Sequence, residues 1–546
     1  MAELVPAPFA DLIHRTVHEL KLEDAVFHLP RRKWWIPNPQ GPNLSVRFHD
    51  RLAGTPVGPA AGPHTQMAQN LVLSWLAGSR ILELKTIQIN DRLRISRPCI
   101  DATNIGYNIE WSQELRINEA LREYVAGWML IHILIHGGIL GESPIVTRAT
   151  ETLFDISVGY DLAGIRSAPV TEFIRNLQDA TRLVESLRNE IPRQYPQFRD
   201  IDFPNEISRS ITLSTFHGCP AGEIERICEY LIGDLDCDVV IKMNPPMLGK
   251  ARLEHLLHEV MGYTEITVPD HAYSNGLQFD ESLEICDRLS KLAVSRGRKL
   301  GAKLSNTLEV HNHREFFTPE NKTQYLSGQP LHVITLTLAD EFRKAVGPNF
   351  PLTFSAGVDR QNFSGLVAAG FRPITVCTDL LRPGGYGRLP PYLADLSSAM
   401  KRIEADTIDQ FIQKSPEDLS ALAAATREDP RYRADANRKT PKRIGTHLQT
   451  FDCVNCDKCL PVCPNAANFI YSADIQAIEF FDYVVDGNDL RQGEKRRVAV
   501  EKADQIANFA DFCNDCGNCD TFCPEYDGPF IKKPNFFGSF ESWKSF

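Results

Sequence analysis

The sequence predicts an α/β protein in which a (β/α)8 barrel of the TIM type is followed by a smaller, cysteine-rich domain. The first observation is an alternation, between about residues 50 and 390, of short apolar runs with longer segments of helical character. The second is the position of the cysteines, since eight of the 14 lie in two short C-terminal groups. The chain has 546 residues, of which 43% are hydrophobic and 24% charged, as in ordinary globular proteins.

Eight apolar runs are the candidate strands, and this number favours a closed barrel over an open sheet. The gap between the second and third runs is too long for one crossover, so we expect a helical insertion at about 105–205. Its best helices are Asn118–Ile135 and Thr171–Ile191. The runs are Thr55–Ala61, Ile81–Thr86, Ile211–Thr215, Val239–Asn244, Leu300–Ser305, His332–Thr337, Leu352–Ala356 and Pro373–Thr378.

The remaining segments complete a four-part organisation. Residues 1–45 are an N-terminal arm and residues 46–400 hold the barrel with its insertion. Residues 401–440 are a helical segment that ends in a polar linker. The cysteine-rich domain occupies residues 441–546.

Both cysteine groups have the spacing C-x2-C-x2-C-x3-C-P. A loop of this spacing presents three thiolates to one [4Fe-4S] cluster, while the fourth cysteine ligates the neighbouring cluster. Two zinc knuckles are the alternative, but the third cysteine and the final proline favour a ferredoxin-like domain with two [4Fe-4S] clusters. The expected ligand sets are Cys453, Cys456, Cys459 with Cys523, and Cys513, Cys516, Cys519 with Cys463.

Charge and hydropathy exclude several classes of protein. The 59 basic and 70 acidic residues give a net charge of -11, which argues against a general nucleic-acid binder. The longest apolar run, Trp128–Ile139, contains two histidines and is shorter than the ~20 residues that span a bilayer. The N-terminus lacks the basic and apolar stretches of a secretory signal, so we expect a cytoplasmic protein without membrane insertion.

The residues that follow the strands suit a flavin, because barrels of this type bind ligands at the carboxyl ends of their strands. Small residues that include Gly62 follow the first run and would let a flat ring approach the backbone. Lys85 and Lys303 end the second and fifth runs, where positive charge would stabilise a reduced flavin. Glycine-rich loops after the seventh and eighth runs suit a phosphate.

Each of these features alone also fits an ordinary turn or a lysine that reaches solvent. Their occurrence together with two cluster motifs predicts an FMN site. The reason is chemical: clusters deliver single electrons, and a flavin converts them into two-electron chemistry.

Several longer segments are specific enough to carry a family resemblance. They are Arg97–Ala102, Gly106–Ser112, Ser157–Leu162, Thr215–Pro220, Lys303–Val310 and Arg382–Tyr386. Over roughly residues 50–400 the barrel resembles the flavin-binding domain of dihydroorotate and dihydropyrimidine dehydrogenases. Most of the chain, including both cysteine groups, is more similar to the selenate reductase subunit family, large iron–sulfur flavoproteins associated with bacterial purine catabolism.

The resemblance implies positions around the FMN. Lys85 and Lys303 would contact the flavin ring, and Asn108 would lie near it. Asn244 is expected to hydrogen-bond the flavin or the substrate. The phosphate would lie among Gly357, Thr378, Gly384 and Gly385.

One departure from the pyrimidine enzymes concerns the proton donor. Those enzymes carry a cysteine or serine acid/base on the loop after strand four, where the predicted strand order places Asn244 and two prolines. A pyrimidine substrate is therefore doubtful. Other candidates for the proton donor are His217, Cys219 and Glu309, each of which also fits a packed or surface residue.

The source of electrons is expected to lie in another subunit, because the chain has no convincing G-x-G-x-x-G unit for NAD(P)H. The resemblance implies a FAD- and NAD(P)H-binding partner similar to the small subunit of glutamate synthase, and hence a hetero-oligomer.

Two hypotheses follow. In the first, electrons pass from the partner through the clusters to FMN, which reduces, or in reverse oxidises, an unsaturated or heteroaromatic small molecule. In the second, the chain is an electron-transfer or scaffold subunit without substrate chemistry. A glutamate-synthase-like amidotransferase is disfavoured, because Ala2 and Glu3 stand where an N-terminal nucleophilic cysteine would be needed.

Overall fold

A nearly closed barrel of eight parallel strands dominates the protein. The computed structural model describes residues 3–90, 93–110, 112–214, 219–415 and 418–546. The barrel strands β1 to β8 are Val57–Pro59, Ile81–Glu83, Leu153–Val158, Ser210–Ser214, Asp238–Met243, Leu300–Leu304, Leu352–Phe354 and Ile374–Val376. They follow one another around the sheet in chain order, and β1 approaches β2 where the Arg80 N–H donates to the Val57 carbonyl at 3.1 Å.

Helices follow each strand and cover the outside of the barrel, as the predicted alternation requires. The expected helix Asn118–Ile135 is observed at Ile117–His136, and Thr171–Ile191 is divided into two helices. In order after β1 to β8, the main helices are Ala68–Leu76; Ile117–His136; Ala168–Gln178 and Thr181–Glu190; Ala221–Gly233; Lys250–Glu254 and Phe279–Ser295; Gln329–Val346; Phe363–Ala368; and Leu389–Arg402.

One strand predicted from the sequence is wrong, and one strand of the barrel was not predicted. His332–Thr337 lies inside the helix Gln329–Val346, whose residues from Pro330 to Ala339 are all buried. A short apolar run that is buried on every side cannot be told from a strand by its periodicity. The missing strand, β3, lies within the expected helical insertion, where Asp155 and Ser157 interrupt its apolar run.

A small antiparallel sheet of four strands, here the lid sheet, lies at the carboxyl end of the barrel. The loop after β2 contributes Ile100–Asp101 and Gly106–Asn108, and the loop after β6 contributes Leu308–His311 and Thr323–Ser327. Its strand order places Gly106–Asn108 between Ile100–Asp101 and Thr323–Ser327.

The cysteine-rich domain packs against the barrel and shares its hydrophobic core. Its central sheet pairs Asn468–Ser472, Asp504–Phe509 and Asn535–Phe536, and the short helices Cys459–Val462 and Asn518–Phe522 carry cluster cysteines. An exposed hairpin of Gln476–Asp486 and Asp489–Val500 lies between the two cysteine groups.

The segments outside these two units are short. The N-terminal part contains the helix Phe9–Glu23 and two small strand pairs, Ala25–Val26 with Leu29–Pro30 and Val46–Phe48 with Arg51–Ala53. The helices Ile408–Lys414 and Leu419–Glu428 follow the barrel. Within the described ranges, no helix combines the length and the apolar character needed to cross a bilayer.

The junction of β1 and β2 yields a test of barrel closure. A Cβ atom on Gly58 would lie 1.5 Å from the Ile81 carbonyl oxygen, so Gly58→Ala must push the strands apart. We expect a loss of at least about 3 kcal/mol in unfolding free energy, at the upper end of overpacking costs. Gly222→Ala is the control, because no atom lies within 4 Å of its Cβ in an exposed first turn of a helix. It should stabilise the protein by about 0.5–1 kcal/mol. Equal thermal midpoints for the two variants would contradict the closure.

Candidate active site and cluster centres

A cavity of about 610 Å³ opens at the carboxyl ends of the barrel strands, beneath the lid sheet. This volume is in the range of small-molecule and cofactor sites. Small residues that follow β1, Ala60 to Gly62, form one wall, and the ends of β7 and β8 form another. The lid sheet adds polar side chains from Asn108 and Tyr325.

A network of buried charges forms the floor of the cavity. Glu83, at the end of β2, is hydrogen-bonded to the Lys303 ammonium and accepts the Ala61 N–H at 3.0 Å. The Lys242 ammonium lies 4.0 Å from the other oxygen of Glu83. Burial alone would raise the pKa of Glu83, but the two lysines outweigh it and the pKa is lowered.

A second buried ion pair joins the barrel to the lid sheet. Lys85 follows β2, and its ammonium is bonded to the carboxylate of Glu110, which follows the lid strand Gly106–Asn108. Both side chains line the cavity. Buried lysines at strand ends are thus paired with carboxylates, as their burial requires.

The expected FMN residues divide into two groups. Residues that line the cavity are Gly62, Lys85, Asn108, Gly357 and Thr378. Lys303 lies below them, bonded to Glu83, and Asn244 is buried outside the lining.

Gly384 and Gly385 also lie outside the cavity lining. A Cβ on Gly385 would lie 2.0 Å from the Pro461 carbonyl oxygen, so this loop is fitted against the cysteine-rich domain. The resemblance places these glycines at the phosphate, but they do not line the cavity. Gly106 and Ser327 do line it, yet only Gly106 lies in a segment that carries the resemblance, and Ser327 stands in an ordinary polar run.

The three expected proton donors differ in position. Glu309 lines the cavity, where its carboxylate lies 3.3 Å from the His271 Nε2 atom. Cys219 is buried outside the lining, and burial raises its pKa to about 12. His217 lies outside the described residues. Sequence reasoning missed His271, because only the fold brings it to the cavity.

The corrected strand count changes the argument about the proton donor. Because β3 is Leu153–Val158, the strand before Asn244 is β5 rather than strand four. Cys219 stands between the end of β4 at Ser214 and the helix Ala221–Gly233. The difference from the pyrimidine enzymes at Asn244 therefore disappears, because it depended on a strand count that omitted β3.

The eight clustered cysteines form two sets, each of which combines both motifs. Cys453, Cys456, Cys459 and Cys523 surround one small cavity. In the other set, burial raises the pKa values of Cys513, Cys516 and Cys519, and neighbouring Cys463 raises each of them further. This grouping is compatible with crossed ligation, which stays a prediction, and four thiolates per set suit a [4Fe-4S] cluster.

Comparison with known proteins agrees with this architecture. A family model described as the N-terminal TIM-barrel domain of oxidoreductase YgfK matches residues 27–434. The chain belongs to this YgfK family. A model of the 4Fe-4S dicluster domain matches residues 449–526, so the iron–sulfur character of the cysteine-rich domain is established as well.

The YgfK proteins of Escherichia coli strain K12 and of Escherichia coli O157:H7 are each 35% identical to the chain over 438 residues. The match covers 77% of this chain and 41% of each relative. The chain thus spans about two fifths of the length of the curated relatives it matches. Their shared name describes an oxidoreductase and states no substrate.

In this member of the YgfK family, the second cysteine set lies directly against the lid sheet. The carbonyl oxygen of Cys516 accepts the N–H groups of Cys99 and Ile100, both at 3.1 Å, and Ile100 lines the cavity. The first set lies farther out, since it contains Cys456, the exposed member among the eight. One set therefore adjoins the cavity and the other reaches the surface.

The crossed ligand sets of this YgfK-family protein can be tested by pairs of substitutions. Cys453→Ser with Cys523→Ser removes two ligands of the same cluster, so about four of eight irons should remain. Cys453→Ser with Cys463→Ser removes one ligand from each cluster and should leave almost none. Iron and sulfide analysis after anaerobic purification measures both, and the opposite pattern would show that each motif binds its own cluster.

Proposed function

We propose that the chain is an FMN-dependent iron–sulfur oxidoreductase subunit in which the two clusters exchange electrons with a flavin in the barrel cavity. The observation that carries the proposal is the contact of Cys516 with the lid strand Ile100–Asp101. Through this contact a single hydrogen bond joins Cys516 to Ile100, a residue of the cavity wall. A cluster held against a cavity is useful when the ligand in that cavity exchanges electrons.

The cavity residues fit FMN in three ways. The small residues Ala60 to Gly62 leave room for a flat ring, and Lys85 and Lys242 supply positive charge at the floor. The hydroxyls of Ser327 and Thr378, bonded to each other at 2.9 Å, lie beside Gly357 and suit a phosphate. The buried Thr375 hydroxyl lines the cavity without a hydrogen-bond partner among the described residues. When bound, FMN would accept single electrons and pass a hydride to a small molecule.

The chain's own residues would position the substrate and move the proton. His271 is half-exposed at the cavity, where Glu309 holds its imidazole within reach of a bound substrate. Cys219, which follows β4 in the chain, is the second source of a proton by resemblance to the pyrimidine enzymes. The lid sheet covers the cavity and limits the entry of water.

We further propose that the substrate is an unsaturated or heteroaromatic small molecule and that the reaction runs in either direction. Cys456 at the surface is the entry point for electrons from a FAD- and NAD(P)H-binding partner that resembles the small subunit of glutamate synthase. The resemblance to the selenate reductase subunit family favours such a hetero-oligomer. The corrected strand order favours the enzyme over the scaffold alternative, because it places Cys219 after β4, where the pyrimidine enzymes carry their acid/base.

The test is an anaerobic absorbance spectrum of the purified protein with iron, sulfide and released-flavin analysis. We expect about eight irons and about one FMN per chain. Candidate substrates are then screened by the bleaching or return of flavin absorbance. Eight irons with no retained or rebound flavin would support the scaffold alternative.

Thr378→Val tests the phosphate end of the site without changing the size of the side chain. Removing the hydroxyl should weaken rebinding of FMN to the apoprotein about tenfold, or ~1.4 kcal/mol. Thr337→Val is the matched control, because the Thr337 hydroxyl bonds the Val333 carbonyl outside the cavity lining. Fluorescence titration with FMN measures both affinities, and equal values for the two variants would show that the phosphate does not bind at this end of the cavity.

A further inference from the structure

The ion pair of Lys85 and Glu110 occupies the boundary between the cavity and the buried cysteine set. Their side chains are only 3% and 2% exposed, and both line the cavity. Behind Glu110, the Cys99 thiol lies 4.0 Å from its carboxylate, and the Cys99 N–H is bonded to the Cys516 carbonyl. Glu110 is thus placed where charge on either redox centre is felt.

The groups around Glu110 make its ionised form unfavourable when Lys85 also has to neutralise a second negative charge. Burial raises the pKa of Glu110, and Glu114 raises it further, whereas Lys85 and Arg97 oppose the shift. Arg97 is engaged elsewhere, since it donates to the Cys99 thiol at 2.8 Å and pairs with Glu114.

Lys85 is the cation bonded to Glu110, because the nearby thiol is uncharged and the other two lysines lie at Glu83. Burial raises the pKa of the neighbouring Cys377 thiol to about 11, so this thiol is neutral at neutral pH. Lys303 and Lys242 share the carboxylate of Glu83 on the other side of the floor.

We propose that Glu110 is a positioning residue that holds Lys85 at the cavity and takes up a proton when a flavin bound there is reduced. The inference rests on the proposed FMN site. Before reduction the lysine and the carboxylate neutralise each other beside a neutral ring. Two electrons from an external reductant and one proton from water would leave one negative charge on the flavin.

Lys85 cannot neutralise that charge and Glu110 together, and an uncompensated buried charge is expensive. A second proton from water, bound by the Glu110 carboxylate, removes the negative charge that competes for Lys85 and leaves Lys85 to the flavin. The balance is then two electrons and two protons for each reduction, and Glu110 links the flavin potential to pH.

The experiment is a redox titration of the full-length, FMN-loaded protein with dithionite at several pH values from mildly acidic to neutral. The midpoint potential of the wild-type flavin should fall as the pH rises, with the slope of a reaction that takes up two protons with two electrons. In Glu110→Gln the slope should halve, and the potential should rise most at the highest pH. Glu110→Asp should restore part of the slope.

Glu123→Gln is the matched control. Glu123 is a buried carboxyl whose pKa burial raises to about 7, but it accepts the Ala68 N–H and lies outside the cavity lining. Its replacement should leave the slope of the flavin potential unchanged, although the pKa of Glu123, about 7, lies within the pH range of the experiment.

An infrared difference spectrum of the wild-type protein gives an independent readout that needs no variant. Reduction should produce the carbonyl band of one newly protonated carboxylic acid, and Glu110→Gln should lack it. A protein that binds flavin but shows neither this band nor a change of slope in Glu110→Gln overturns the role of Glu110 alone. A protein with its iron but without any flavin overturns the proposed function and this inference together.

Discussion

The carboxylate of Glu83 is the interaction on which the geometry of the barrel end depends. It bonds the Lys303 ammonium at the end of β6 and the backbone of Ala61 after β1, and it faces Lys242 at the end of β5. One side chain of β2 therefore connects the ends of four strands. Buried ion pairs add little net stability, but removing one partner costs about 3–5 kcal/mol. The arrangement fixes where these strand ends lie and thereby shapes the floor of the cavity.

The second constraint is the attachment of the cluster domain, which depends on polar contacts that would be costly to leave unmade. The Asn518 amide donates to the carbonyls of Leu381 and Val462 at 2.8 and 2.7 Å. The Pro464 carbonyl accepts the Asn70 amide at 2.7 Å and the Tyr386 hydroxyl at 3.0 Å. These contacts hold one cysteine set against the lid sheet. The lid sheet is thus shared by the cavity and the cluster domain, and this sharing is the structural basis for proposing electron transfer between them.

Buried polar and apolar residues explain where the fold follows the local sequence pattern and where it does not. The eight-stranded barrel, the helices around it and the iron–sulfur domain were all predictable from alternation and cysteine spacing. The run His332–Thr337 resembles a strand in the sequence because a helix buried on all sides has no polar face to reveal its period. In β3, the buried Asp155 carboxylate accepts hydrogen bonds from the Ser210 and Thr212 hydroxyls, both at 2.5 Å. These bonds allow a polar residue within a buried strand, and that residue breaks the apolar run that would have predicted the strand. The resulting shift in strand number placed Asn244 on the wrong loop and cast doubt on the proton donor.

Local sequence predicts the features that depend on neighbouring residues, namely the ligand types and spacing of the cluster motifs and the small and charged residues at the ends of the strands. Tertiary structure alone decided which of those residues meet at the cavity. Lys303 turns to Glu83, Gly385 contacts Pro461, and Glu110 reaches Lys85 from the lid sheet. Such partners are set by strand register and by the packing of segments far apart in the chain, and local sequence pattern carries no record of either.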